Sequence, residues 1–402
     1  MKTKSKDHNN NEGSPVHPGA VDFDQTPFVA IWEVTRACDL ACSHCRAEAI
    51  SKPLPGELTT QEGFNLLEDL AEMGAPICVL SGGDPAKRPD LCDLVCYGSR
   101  LGMRMATIPA ATPHLTRGLV RQLKDAGLDQ MALSLDGPDR EVHDNFRGVP
   151  GAFYLTLQGA QYAKEIDLPL QINTTFSAYN LEYFEAIADL VRQLEVVFWE
   201  VFFLVPMGRG SRVTQMNGTQ FESLFVKAAD FADGVDFIVK ITEAPHYRRY
   251  LMQRHSHNAG GPPQAVLKMR SSTQLPGHMT RDFGPGGSIG LAPKGVNAGK
   301  GHLFVNYRGD ISPSGFLPIS CGNVRKESLP QVYRSHQVFR ELRTTSLLKG
   351  KCGICEFREI CGGSRARAYA MTGDYLAEEP FCDYHPLSMS ELEGSARVVD
   401  YE

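Results

Sequence analysis

Along the first half of the chain, apolar positions come in short runs separated by amphipathic stretches. The runs at 28–34, 77–80, 104–108, 130–134, 168–175 and 198–205 predict strands. The stretches at 60–73, 89–101, 116–126, 151–166 and 181–194 predict helices between them. Thr59 with Glu62 has the spacing of a capping box, and Pro89 suits the first turn of a helix. Strand and helix in alternation predict a parallel sheet with right-handed crossovers. Six such units are too few for the closed eight-unit barrel. The expectation is an α/β fold, a partial (β/α)6 TIM-like barrel over residues 28–235, with its active residues at the C-terminal ends of the strands.

A further helix is predicted at 219–232, after which the pattern breaks. Residues 236–302 carry Gly260-Gly261-Pro262-Pro263 and a Gly/Pro-rich run from 284 to 301. They read as a connecting region with long loops, some of them covering a substrate. Residues 303–402 predict a small cysteine-rich α+β domain. It opens on a hairpin, 303–307 and 311–313 around Arg308-Gly309-Asp310. At the other end, residues 1–27 are polar and predict a disordered tail without the apolar core of a secretory signal.

Composition narrows the function. The 402 residues suit two domains, and 42% apolar residues suffice for packed cores. A net charge of −6 and a pI near 6.1 argue against nucleic acid or an anionic membrane as partner. No apolar run reaches the roughly 18 to 20 residues that span a bilayer. The expected location is cytoplasmic.

Of 11 cysteines, seven fall into two groups with short spacings. In a cytoplasmic chain such groups suggest metal sites before disulfides. Cys78, Cys92 and Cys96 lie in apolar or helical contexts and read as buried small residues. The first group, Cys38-Asp-Leu-Ala-Cys42-Ser-His-Cys45, directly follows the first predicted strand. Three thiolates are one short of a structural zinc site. On a [4Fe–4S] cube they leave one iron open to a small molecule. The amine and carboxylate of S-adenosylmethionine (SAM) suit that iron, and a low-potential cluster can pass one electron to the sulfonium. Carbon–sulfur cleavage then gives a 5′-deoxyadenosyl radical.

This spacing after a first strand resembles the radical SAM superfamily. The resemblance implies that Cys38, Cys42 and Cys45 hold the cluster and that His44 packs against adenine. It further implies that Gly82 and Gly83, in Ser81-Gly82-Gly83-Asp84-Pro85, bring backbone carbonyls to the SAM ammonium. Asp84 stands where the family usually has Glu. Ser134 and Asp136, at the end of the fourth strand, are implied to face the ribose and methionine part of SAM, and Arg147 its carboxylate. Asn173 and Thr175 end the fifth strand and are assigned to SAM or substrate. The plainer alternatives are a loop residue at His44, a turn at Asp136 and a surface arginine at Arg147.

The second group, Cys352, Cys355, Cys361 and Cys382, can hold zinc or an iron–sulfur cluster. Beside a radical SAM core it resembles the SPASM and twitch extensions, which carry auxiliary [4Fe–4S] clusters. A full SPASM domain holds two. Here Arg365 and Ser314 stand where further cysteines belong, so one auxiliary cluster is implied, with electron transfer as its role and Cys321 a free thiol.

The run from Cys361 to Ala370 and Thr372-Gly373-Asp374 look most like a subgroup similar to the alternative-haem-pathway enzymes, which decarboxylate propionates of iron-coproporphyrin. The mycofactocin maturases, which decarboxylate a peptide terminus, are also similar. In Glu243–Tyr250, Arg248 and Arg249 could then clamp carboxylates, and His246 or Tyr247 could meet a porphyrin. The alternative is an ordinary basic helix face. Three readings follow: oxidative decarboxylation of a tetrapyrrole propionate, modification of a ribosomal peptide, or a non-catalytic cluster-binding protein. The absence of room before Phe28 for a leader-gripping domain lowers the peptide reading. An electron donor such as flavodoxin or ferredoxin is the expected partner of the enzyme.

Overall fold

The computed structural model describes residues 21–258 and 295–387. Seven parallel strands follow one another in chain order: β1 (Val29–Glu33), β2 (Ile77–Ser81), β3 (Arg104–Thr107), β4 (Gln130–Ser134), β5 (Leu170–Phe176), β6 (Phe198–Phe203) and β7 (Ile238–Thr242). Helices cross between them: α1 (Thr60–Glu72), α2 (Leu91–Arg100), α3 (Arg117–Asp125), α4 (Arg140–Arg147), α5 (Ala152–Ile166), α6 (Phe184–Gln193) and α7 (Gly218–Asp233), with α8 (Tyr247–Asn258) after the last strand. The α/β partial barrel expected from the pattern is present.

Local chemistry sets the elements. The Thr59–Glu62 capping box starts α1. Leu66, Leu67 and Leu70 of α1 are buried in one core with Leu91, Leu94 and Val95 of α2 and with Trp32 of β1. Each such side chain contributes roughly 1.5–3 kcal/mol on burial. The second helix begins at Leu91, not at Pro89. Arg88 grips Asp90 with bonds of 2.7 and 2.9 Å and donates to the Val34 carbonyl at 2.9 Å. Side chains therefore hold residues 88–90 in a loop.

Three boundaries differ from the expectation. Val21 and Phe23 lie in the segment expected to be a disordered tail, yet both are buried. They pack with Phe28, Ile77, Val79 and Ala106, and the Tyr333 hydroxyl donates to the Phe23 carbonyl at 2.8 Å. Apolar side chains at 21 and 23 find strand side chains to cover. Residues 1–20 lie outside the described ones. The region 236–302, expected to be connecting loops, supplies β7 and α8. Lys240 interrupts the apolar run of β7, and its partner Glu200 on β6 makes that position tenable. The Gly260–Pro263 run and residues 284–294 lie outside the described ones.

The C-terminal region does not form a sheet of its own. β8 (His302–Val305) pairs in parallel with β1, while β9 (Asp310–Ser312) and β10 (Gly322–Asn323) add antiparallel beyond it. Among the described residues, one ten-stranded sheet results. Four short helices follow: α9 (Leu329–Ser335), α10 (Gln337–Arg343), α11 (Gly350–Ile354) and α12 (Arg365–Thr372). No helix among the described residues is long and apolar enough to cross a membrane.

Candidate active site

Strand register decides what faces the barrel interior. Ser134 aligns with Asn173, Asn173 with Glu200, and Glu200 with Lys240. Four strands thus carry one polar row. Side chains tie it together: Gln171 donates to Asn173 at 2.6 Å and to Glu200 at 2.9 Å, and Glu200 meets Lys240 at 2.9 Å and Thr242 at 2.6 Å. The row lies along two cavities. An upper one of about 1040 Å³ is lined by Ser134 and Asn173, and a lumen of about 1130 Å³ by Glu200 and Lys240. Ile108, Phe202 and Phe316 line both, so the two adjoin.

Cys38, Cys42 and Cys45 all line the upper cavity. Their loop is braced from three sides. The Gly83 N–H donates to the Thr35 carbonyl at 2.8 Å and the Asp84 N–H to the Ala37 carbonyl at 2.7 Å. A Cβ at Gly83 would stand 2.3 Å from the Ala37 carbonyl oxygen, and one at Gly82 2.6 Å from that of Thr35, so only glycine fits. From α4, the carbonyls of Arg147 and Phe146 accept the N–H groups of Ala41 and Ser43. From the loop after β6, Arg209 Nε donates to the Cys42 carbonyl at 2.9 Å.

The donor set fits an iron–sulfur cluster. Cys38 Sγ accepts the Leu40 N–H at 3.3 Å, Cys45 Sγ the Ala49 N–H at 3.5 Å, and Arg147 Nη1 stands 3.7 Å from Cys42 Sγ. Donors aimed at sulfur favour thiolates. Burial works the other way: it pushes the Cys38 thiol up to about 12 and raises that of Cys42. The thiolates need a metal centre's positive charge close by. Among the described residues no three His, Cys, Asp or Glu converge on a single metal ion. A cube offers each thiolate a different iron, so it needs no such convergence.

The remaining residues implied by the family resemblance separate into two sets. His44, Gly82, Gly83, Ser134, Arg147 and Asn173 line the cavity with the cysteines, as does Thr175. His44 stacks on Phe146 at 4.3 Å, and Phe146 on Tyr179 at 5.1 Å. Asp84 and Asp136 are fully buried and do not line it. Asp84 accepts from Ala86 N–H, Ala110 N–H and the Thr112 hydroxyl, which binds the end of β2 to the loop after β3. Asp136 forms an ion pair with Arg147 and accepts the Thr175 N–H at 2.7 Å. It holds the arginine in place from behind.

Cys352, Cys355, Cys361 and Cys382 line a separate cavity of about 440 Å³. Backbone N–H groups of Glu379, Phe357 and Gly363 point at the sulfurs of Cys352, Cys355 and Cys361, at 3.3, 3.4 and 3.4 Å. Gly363 reaches its position at φ 64°. This set too fits a cluster. Cys321 lies in the main hydrophobic core, outside this lining.

The four candidates from 246 to 249 do not meet the upper cavity. His246 is buried, stacks on Phe221 at 5.4 Å and faces the second cysteine group. Burial holds its pKa well below the ordinary value, so the ring is neutral. Tyr247 packs in the core against Phe225 and Tyr250. Arg249 pairs with Glu222, lies over Tyr384 and also faces the second group. Arg248 alone reaches the lumen, its guanidinium held by the carbonyls of Ile360 and Val296 at 3.0 and 2.8 Å. Helix α8 aims alternate residues at different elements, which a local run of basic and aromatic residues does not disclose. Glu200, Lys240, Arg209 and Arg46, which no motif marks, also form the cavity walls. Charges inside the apolar runs at 198–205 and 238–242 were the available signal.

This arrangement is that of a radical SAM enzyme with an auxiliary iron–sulfur domain. The family model of the radical SAM superfamily matches residues 32–191, and that of the SPASM iron–sulfur cluster-binding domain matches 297–362. The chain therefore belongs to the radical SAM superfamily, in its SPASM-bearing branch, with SAM, a [4Fe–4S] cluster and an auxiliary iron–sulfur cluster as its cofactors. A protein of Oleidesulfovibrio alaskensis described as AdoMet-dependent heme synthase is 38% identical over 93% of this chain and 94% of its own. One of the same description from Methanosarcina barkeri is 39% identical over 91% of this chain and 99% of its own. Among solved structures, Streptococcus suis SuiB bound to S-adenosylmethionine shares the fold, with a TM-score of 0.65 at 14% identity over 90% of this chain and 78% of that one.

Proposed function

We propose that the enzyme oxidatively decarboxylates a propionate of an iron-coproporphyrin-like tetrapyrrole in haem biosynthesis. The observation that carries this reading is the likeness to the two heme synthases, which covers more than nine-tenths of this chain. The lumen supports it. It is walled by Phe28, Phe202 and Phe316 and carries Lys240 and Arg248. The aromatic walls match a large planar ligand, and Lys240 and Arg248, beside Glu200 and Glu243, are the cations for its carboxylate arms.

What the cluster and SAM supply when bound is removal of one hydrogen atom from an unactivated C–H bond. The chain does the rest. Cys38, Cys42 and Cys45 hold the cluster; His44, Gly82, Gly83, Ser134, Arg147 and Asn173 surround SAM. Asp84 and Asp136 position their neighbours. Phe202 and Phe316, which line both cavities, would stand between SAM and substrate. The β-carbon of the propionate gives up a hydrogen atom, the carboxylate leaves as CO2, a vinyl double bond forms and one electron is released.

Cys352, Cys355, Cys361 and Cys382 hold the auxiliary cluster, beyond the lumen wall. Glu243 of that wall accepts from the Ser364 hydroxyl at 2.5 Å, the Ser364 N–H donates to Glu379 at 2.8 Å, and the Glu379 N–H reaches Cys352 Sγ. A flavodoxin or ferredoxin as electron donor and a cytoplasmic location belong to the same reading.

Titration with iron-coproporphyrin under anaerobic conditions tests it. The expected result is a shifted Soret band at micromolar protein and, with SAM and reductant, release of CO2. An unmoved Soret band, or tighter binding of a short peptide, would overturn the tetrapyrrole assignment.

A further inference from the structure

Arg365 is a buried cation that Glu243 and Asp374 influence only through space, without a direct ion pair among the described residues. It is 2% exposed. Its Nη1 donates to the carbonyls of Tyr375 and Ala377 at 3.0 and 2.7 Å, and its Nε to that of Gly363 at 3.3 Å. These bonds fix the guanidinium with Nη2 3.9 Å from Cys352 Sγ. A Cβ at Gly363 would stand 2.6 Å from that nitrogen and 3.3 Å from the sulfur, so glycine keeps the line between them open. Burying a charge that no carboxylate touches is costly, and a negative group beside it lowers that cost. Arg248 repeats the pattern on the other side: its guanidinium is held by carbonyls alone and donates to the residue preceding Cys361.

We propose that Arg365 sets the reduction potential of the auxiliary cluster, making that cluster an acceptor of the electron leaving the substrate. A cube bound by four thiolates is negative, and each added electron makes it more so. A fixed cation beside one thiolate stabilises the reduced form, as do hydrogen bonds to cluster sulfurs. Arg365 lines neither the upper cavity nor the lumen and acts through Cys352. The inference rests on the auxiliary cluster and not on the identity of the substrate, so the tetrapyrrole assignment can fail without affecting it.

The test is a redox titration of the reconstituted full chain, each cluster followed by its electron paramagnetic resonance (EPR) signal. Arg365→Gln removes the charge and Arg365→Lys keeps it. The expected result for Arg365→Gln is an auxiliary-cluster reduction equilibrium about tenfold less favourable, 59 mV lower for one electron. Arg365→Lys stays near wild type, and the SAM-binding cluster stays unmoved in both. An unchanged potential in Arg365→Gln overturns the proposal, as does an equal fall in Arg365→Lys. If Arg365→Gln fails to assemble the second cluster, Arg365→Lys decides. A wild-type potential there supports the charge effect. Loss of the cluster there too assigns Arg365 to scaffolding and overturns it.

Discussion

The two cysteine groups solve opposite problems with similar parts. The first has three thiols on one loop, and its cavity of about 1040 Å³ continues past them to the polar row on β4 and β5 and on to the lumen. The second has four thiols around a cavity of about 440 Å³, bordered by Arg249, Lys351 and Arg358. An open iron with space beside it is a place to bind and cleave a molecule. A fully ligated cluster among fixed cations is a place to hold an electron. The number of thiols and the emptiness around them, rather than the metal, separate catalysis from electron transfer.

The largest expected effects come from removing one thiol from each site. Cys42→Ala should abolish cleavage of SAM, and Cys355→Ala should leave cleavage intact while abolishing substrate decarboxylation. Iron should fall from about eight to about four atoms per chain in either variant. Measured 5′-deoxyadenosine and iron would break the comparison if both variants lost SAM cleavage alike.

The joint between the sites should come next. Arg367 is 0% exposed, pairs with Glu379 at 3.2 Å and donates to the carbonyls of Phe203 and Leu204 at the end of β6. Removing one partner of a buried pair costs about 3–5 kcal/mol. Arg367→Met should lower stability by that amount in denaturant titration, and it should loosen the auxiliary site before the SAM site. Lys240→Met, in the lumen, should weaken iron-coproporphyrin binding about tenfold, some 1.4 kcal/mol, with SAM cleavage in the absence of substrate unchanged. The Soret titration reads it.

The part of this comparison legible in the sequence was the part written locally. Spacing gives away both cysteine groups, because cluster ligands must sit close together on loops. The Gly82-Gly83 turn and the polar strand ends at Ser134 and Asn173 follow from their place after predicted strands. Strand β7 was hidden because Lys240 breaks its pattern, and its partner Glu200 lies 40 residues away. Arg209 and the Arg367–Glu379 joint were hidden for the same reason: long-range pairing decides their roles. The roles within the run from His246 to Arg249 are not legible locally, since neighbours point to the auxiliary site, the core and the lumen, and of the four only Arg248 lines the lumen.

The smallest expected effect concerns the outer seam between barrel and C-terminal region. Arg325 holds Glu62 at 2.5 and 2.9 Å, and that bond, ahead of the other causes, lowers the carboxyl from 4.5 to about 2. A depressed folded-state pKa contributes stability above the unfolded value, and the contribution is lost as pH falls. The pair is about one-third exposed, so the contribution is under about 1 kcal/mol. Glu62→Gln should be slightly less stable than wild type at pH 7, with the gap closing between pH 4.5 and about 2. Denaturation midpoints across that range would show it.

The central claim is that only the first cysteine group meets SAM. EPR of the reduced chain, with and without SAM, tests it directly. The account predicts two [4Fe–4S] signals, of which SAM alters one. The altered signal should be absent from Cys42→Ala and present in Cys355→Ala. A SAM-sensitive signal that survives in Cys42→Ala would contradict it.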